Sequence, residues 1–132
     1  MLYEVLGWLN IFFFVVMTSP FWIRIINDHT FHWKGAAYKK TIRILRKIHK
    51  PLGFVILVIA GIHGYLALGA IRLPTGSLIA IATMLTAALG IAFYFSKKKT
   101  LFKLHRWSVL LILILVALHL LFPSALWYLF HI

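Results

Sequence analysis

The sequence predicts an all-α integral membrane protein, a four-helix bundle forming a single domain over residues 1–132. Three observations lead there. Of the 132 residues 63% are hydrophobic and the mean hydropathy is +0.97, well above the roughly 45–50% apolar content of soluble domains. The apolar residues fall into four runs of the ~20 residues needed to cross a bilayer core. Within two of those runs histidines recur at one interval: His49 and His63 are fourteen residues apart, and so are His105 and His119.

The first run covers about Leu2–Ile26, with Pro20 near its end, and lacks the basic leader and small-residue cleavage site of a signal peptide, so it is expected to be a retained span. The second covers about Ile48–Ile71, the third about Gly76–Ser96 and the fourth about Leu101–Phe122. Spans two and three are joined at the turn signal Leu73-Pro74-Thr75-Gly76. Pro51 is expected to start or kink the second helix, and Pro123 to end or kink the fourth just past His119. Asp28–Lys47 is too polar to span. Within it, Tyr38 to Lys47 mixes Ile42, Ile44 and Leu45 with five basic residues, the composition of an interfacial stretch drawn to anionic headgroups or of a docking face for an acidic redox partner.

Charge sets the expected topology. Eight basic residues lie from Arg24 to Lys50, five from Lys97 to Arg106, and Arg72 stands alone between spans two and three. By the positive-inside rule the two basic segments are cytoplasmic and both termini outside, in the plasma (inner) membrane. The net charge of +12, with Glu4 and Asp28 the sole acids, does not argue for nucleic acid, because no basic face remains once the spans are removed. The absence of cysteine excludes disulfides, thiolate metal sites, iron–sulfur clusters and thioether-linked haem.

Fourteen residues are close to four helical turns, so the two histidines of each span share a face, ~21 Å apart along the axis. An ionisable side chain inside a span is costly and by default functional. Spans two and four run in the same direction, which places His49 beside His105 at the cytoplasmic side and His63 beside His119 further out. The ~21 Å interval excludes a single four-histidine zinc site. No carboxylate or thiolate stands near to complete a lone zinc or copper shell. Two facing imidazoles do suit a haem iron, so the pattern predicts two stacked bis-histidine sites between spans two and four, holding two non-covalent haem b groups.

The helix faces agree. The histidine stripe of span two reads His49, Gly53, Ile56, Ala60, His63, Ala67, and span three carries Gly76, Ala80, Thr83, Ala87, Gly90, its two glycines again fourteen apart. Small residues admit either a flat macrocycle or a close helix neighbour. On span one, Gly7 is followed fourteen residues on by Phe21. A ligating histidine donates its second N–H to an acceptor, for which the carbonyls four residues back, Ile59 and Leu115, with Thr83 and Ser108 as helpers, are the expected partners. Lys47, Lys50, Lys103 and Arg106 inside, and Arg72 outside, are candidates to pair haem propionates, against simple snorkelling to the interface. His29, His32 and Trp33 are candidates to flank a cytoplasmic quinone pocket.

The run Leu104-His105-Arg106-Trp107 through Ala117-Leu118-His119 resembles the His-Arg opening and distal histidine of the ferric-reductase-like membrane domain. Ligand pairs on spans two and four of a four-helix unit look like the haem-binding bundle of the respiratory cytochrome b subunit, which also sets glycines of neighbouring helices against its haems. The resemblance implies that His49, His63, His105 and His119 are the ligands and that the chain carries electrons across the membrane. The Pro-Glu-Trp-Tyr quinol motif and an FAD- and NADPH-binding domain are not found in the sequence. Lipid is the expected surroundings, redox proteins or quinone the expected partners, and assembly into an oligomer or complex is compatible with the composition. The alternatives are a haem-bearing anchor subunit of a larger oxidoreductase that exchanges electrons with quinone, and a haem-free scaffold or small transporter.

Overall fold

A computed structural model describes residues 2–68 and 75–122, and these are all-helical. In chain order they form α1 (Leu2–Ile26), a π-helical turn (Asn27–Phe31), α2 (Ala36–Leu68), α3 (Thr75–Ser96) and α4 (Lys99–Leu121). Each of the four α-helices is long and apolar enough to cross a membrane. Their large side chains face outward: Phe54, Tyr65, Phe95 and Leu121 are each at least 70% exposed. Apolar surface on that scale is incompatible with water and suits lipid, so the chain is a multi-pass membrane protein. Arg72, Pro123 and His131 lie outside the described residues.

The helix boundaries have local causes. α1 closes through the π-helical turn, where the His32 N–H donates to the Asn27 carbonyl at 2.7 Å and His32 takes the left-handed φ of 53° that commonly stops a helix. Asn27, buried, clamps the corner: its Nδ2 donates to the Trp33 carbonyl at 3.1 Å and its Oδ1 accepts from the Trp33 N–H at 2.7 Å. α3 ends at a second left-handed residue, Lys97 (φ 55°), whose N–H reaches the Phe93 carbonyl at 2.8 Å.

Two prolines lie inside helices. Pro20 cannot donate to the Val16 carbonyl, and the Ser19 hydroxyl takes that place at 2.6 Å, so the helix continues. Pro51 neither starts nor ends a helix, because α2 runs through it from Ala36 and makes the basic Tyr38–Lys47 stretch continuous with the second span.

The chain divides after His63 into two compact units. In the first, α1 and α2 are antiparallel neighbours, since Tyr3 meets His63 and Met17 meets His49. The facing seam of α1 runs through Tyr3, Gly7, Asn10, Phe14 and Met17, the alternating four-and-three spacing of antiparallel coiled packing. With its amide turned so that the nitrogen faces the Ile56 carbonyl and the oxygen the Ala60 N–H, both at 3.2 Å, Asn10 bonds across it, an inter-helix polar link of the kind that holds helices together in lipid. In the second unit α3 and α4 are likewise antiparallel, Thr86 meeting His105 and Thr75 meeting His119. Buried Thr75, Ala82 and Thr86 mark the α3 seam.

Candidate histidine site

Each histidine pair brackets a buried isoleucine at the midpoint. Ile56 stands seven residues from His49 and from His63, and Ile112 seven from His105 and from His119; they are 5% and 2% exposed. His-x6-Ile-x6-His therefore occurs on both α2 and α4. Fourteen residues are two heptads, so the interval holds the imidazoles on the packing seam of a supercoiled helix pair. Ile112 was legible as a heptad position in the sequence; its burial marks it.

All four imidazoles are half-buried and reach the preceding helix of their own unit through Nδ1. His63 Nδ1–H donates to the Tyr3 carbonyl at 2.6 Å, His49 to the Met17 carbonyl at 3.2 Å and His105 to the Thr86 carbonyl at 2.9 Å. His119 Nδ1 lies 2.8 Å from the Thr75 hydroxyl. A carbonyl oxygen only accepts, so in the first three the proton sits on Nδ1 and the lone pair on Nε2. The hydroxyl of Thr75 fits either tautomer. These partners correct the expectation of acceptors four residues back on the same helix, Ile59 and Leu115. An imidazole on the seam points away from its own helix axis and toward the neighbour's backbone. The hydroxyls of Thr83 and Ser108 donate to the Ile79 and His105 carbonyls.

A helical carbonyl is normally covered by the side chain four residues on, because Cβ tilts toward the N-terminus. At two of the three carbonyl contacts that residue is glycine: Gly7 follows Tyr3 and Gly90 follows Thr86. A Cβ on Gly7 would sit 3.1 Å from His63 Cε1, and one on Gly90 3.2 Å from His105 Cε1. Gly76 stands against His119 in the same way, at 3.4 Å. Gly90 thus opens the backbone of α3 to an imidazole and Gly7 that of α1, while Gly76 leaves room for His119 beside the Thr75 hydroxyl. Gly53 has the Met17 sulfur as its neighbour, at 3.7 Å. The third carbonyl, Met17, is followed four on by Phe21 and carries the longest of the contacts. There Pro20 has already removed one rung of the ladder beside it.

Other candidates fall elsewhere. Arg106 is exposed, its guanidinium carbon 5.9 Å from the Phe102 ring centre. His32 and Trp33 line a cavity of about 390 Å³ with Asn27, Asp28, Lys34, Tyr38 and Lys39, whereas His29 is not part of its wall. Among the described residues no three His, Cys, Asp or Glu side chains gather as a metal site.

Comparison of the chain with protein-family models, with curated proteins and with solved structures returns no match.

Proposed function

We propose that this protein carries electrons across a membrane through two non-covalent b-type haems, one of which His49 and His105 would hold and the other His63 and His119. The observation that supports it most is the uniform seating of the four histidines. Each projects from a membrane helix with Nδ1 engaged by the preceding helix, and in three of them a carbonyl partner assigns the lone pair to Nε2. That is the tautomer a ligating histidine needs, with the second nitrogen bonded to raise its basicity. Merely structural histidines have no reason to use one ring nitrogen four times, a carbonyl partner in three of the four, and one interval on two helices.

The haem would supply the redox chemistry when bound. The chain's part is to present two imidazoles to each iron and to keep them from rotating. It also surrounds the sites with lipid-facing apolar residues. Two imidazoles would hold each haem, which would then serve electron transfer. The thirteen basic residues on the two expected cytoplasmic segments orient the His49/His105 site inward, in the plasma (inner) membrane.

Purified protein should contain two haem b per chain by pyridine haemochrome, with low-spin bis-imidazole bands that sharpen on dithionite; a value near zero overturns the proposal. In sealed vesicles of known orientation it should pass electrons from a reductant inside to an impermeant acceptor outside. An acceptor that stays oxidised would favour the second reading, an anchor subunit that exchanges electrons with quinone. The cavity lined by Asp28, His32, Trp33 and Tyr38 supports that second reading, since it offers an aromatic wall and two proton-exchanging groups.

A further inference from the structure

The end of α1 and the start of α2 enclose a groove of about 260 Å³ lined by Arg24, Tyr38, Lys39, Ile42, Arg43 and Arg46. Four of the six are cations and none is an acid. Lys39, Arg43 and Arg46 stand at i, i+4 and i+7, so they share one face of α2, while Arg24 comes from the last turn of α1. Like charges at i and i+4 oppose helix formation, and a bound anion would relieve that repulsion. The nearest acid in sequence, Asp28, lines the adjoining cavity and not this one.

The groove also has a floor and a level. Ile42, between the cations, is only 5% exposed, so the charged ends surround an apolar base. Arg24 lies where the apolar run of α1 ends, near Trp22, Phe31 and Trp33, all more than a third exposed. Phe31 and Trp33 stack 4.7 Å apart. Aromatic residues of this kind mark the membrane–water boundary. Guanidinium groups bind phosphate oxygens in a two-pronged fashion, and Tyr38 adds a hydroxyl donor.

From this placement we infer that the groove is a binding site for the phosphate of an anionic phospholipid, Arg24, Arg43 and Arg46 taking the phosphate, Lys39 and Tyr38 the rest of the headgroup, and Ile42 the start of the acyl region. A cradle of headgroup size at the boundary, with contributions from two helices, fits a lipid better than an acidic protein face, which would need a broader patch. The inference does not depend on haem.

The test is titration of the detergent-solubilised full-length protein with phosphatidylglycerol and, separately, phosphatidylcholine, read by native mass spectrometry. Phosphatidylglycerol should bind preferentially. Arg43→Gln and Arg46→Gln should each weaken it about 5-fold, as expected for ~1 kcal/mol per basic residue at an anionic surface. Lys98→Gln and Lys99→Gln, in the other basic segment, should leave it within about 2-fold. Arg43→Lys keeps the charge but loses the fork, and should cost less than Arg43→Gln while retaining the helicity of the parent protein. Equal losses from the control lysines would reduce the effect to general surface charge and overturn the site. So would equal binding of phosphatidylcholine. Full displacement by millimolar inorganic phosphate would assign the groove to a free anion instead of a lipid.

Discussion

The two helix pairs solve one problem with different residues. Each must hold two imidazoles fourteen residues apart against a neighbouring helix whose backbone is already hydrogen-bonded to itself. The α3–α4 pair does so with glycine at both levels, Gly90 against His105 and Gly76 against His119. The α1–α2 pair has glycine at one level, Gly7 against His63, and at the other Phe21 occupies the equivalent position. There the contact to Met17 lengthens to 3.2 Å, from 2.6 Å at the glycine level, and Pro20 is the residue that disturbs the ladder. The acceptors differ as well. Tyr3 and Met17 are fourteen apart and both use carbonyls, whereas α3 pairs the Thr86 carbonyl with the Thr75 hydroxyl eleven residues earlier. The acceptors of the closer contacts are uncovered by a glycine four residues on or supplied by a side-chain hydroxyl near the helix start, and the contact at Met17, where neither is present, is the longest.

The sharpest way to break the comparison is to remove the proposed ligands one unit at a time. His63→Ala in the first unit and His119→Ala in the second should each abolish the same haem, leaving about one per chain by pyridine haemochrome, while His49→Ala and His105→Ala abolish the other. If His63→Ala and His105→Ala removed the same haem, the proposed pairing of His63 with His119 would be wrong.

The glycines come next. Alanine in place of a helical glycine ordinarily stabilises by about 0.5–1 kcal/mol, but a Cβ at 3.1–3.2 Å from a held imidazole forces a shift that costs about 1–3 kcal/mol. Gly7→Ala and Gly90→Ala should therefore lower thermal stability and weaken haem retention about 10-fold or more, the range for loss of a group that orients a ligand. Gly61→Ala, whose Cβ would meet nothing within 4 Å, should be neutral or stabilising. A Gly7→Ala protein as stable as Gly61→Ala, with haem retained, would contradict the uncovered-carbonyl account.

A smaller effect is expected at the odd level. Phe21→Gly should uncover the Met17 carbonyl and shift the electron paramagnetic resonance of the haem bound by His49 toward that of the haem bound by His63, with the latter unchanged. If the His63 haem moved instead, Phe21 would not be the counterpart of Gly7.

The smallest is Thr75→Val, nearly the same shape without the hydroxyl. It should cost about 0.5–1.5 kcal/mol and shift only the haem bound by His119, seen as a potential change in redox titration. No change at either haem would mean that Thr75 does not position His119.

Much of this was determined by sequence alone. Helix number and approximate extent follow from runs of apolar residues, because a bilayer demands a fixed length of apolar chain. Span one is expected at Leu2–Ile26 and α1 occupies it; spans three and four match α3 and α4 to within a residue or two. The candidate histidines and the glycines at 76 and 90 were legible because a repeated interval on a helix means a shared face. The tertiary structure decided what a single helix does not contain. It carried α2 through Pro51, since the first half of that helix packs as part of the same rod. It moved the acceptors from Ile59 and Leu115 to Tyr3, Met17, Thr75 and Thr86, because an imidazole that leaves its own helix finds its partner on the next one. It also gave Gly7, Pro20 and Ile112 their roles. A residue such as Gly7, which works by uncovering a carbonyl across a helix seam, does not show its partner in its own neighbourhood, and only the register between two helices reveals which backbone oxygen it exposes.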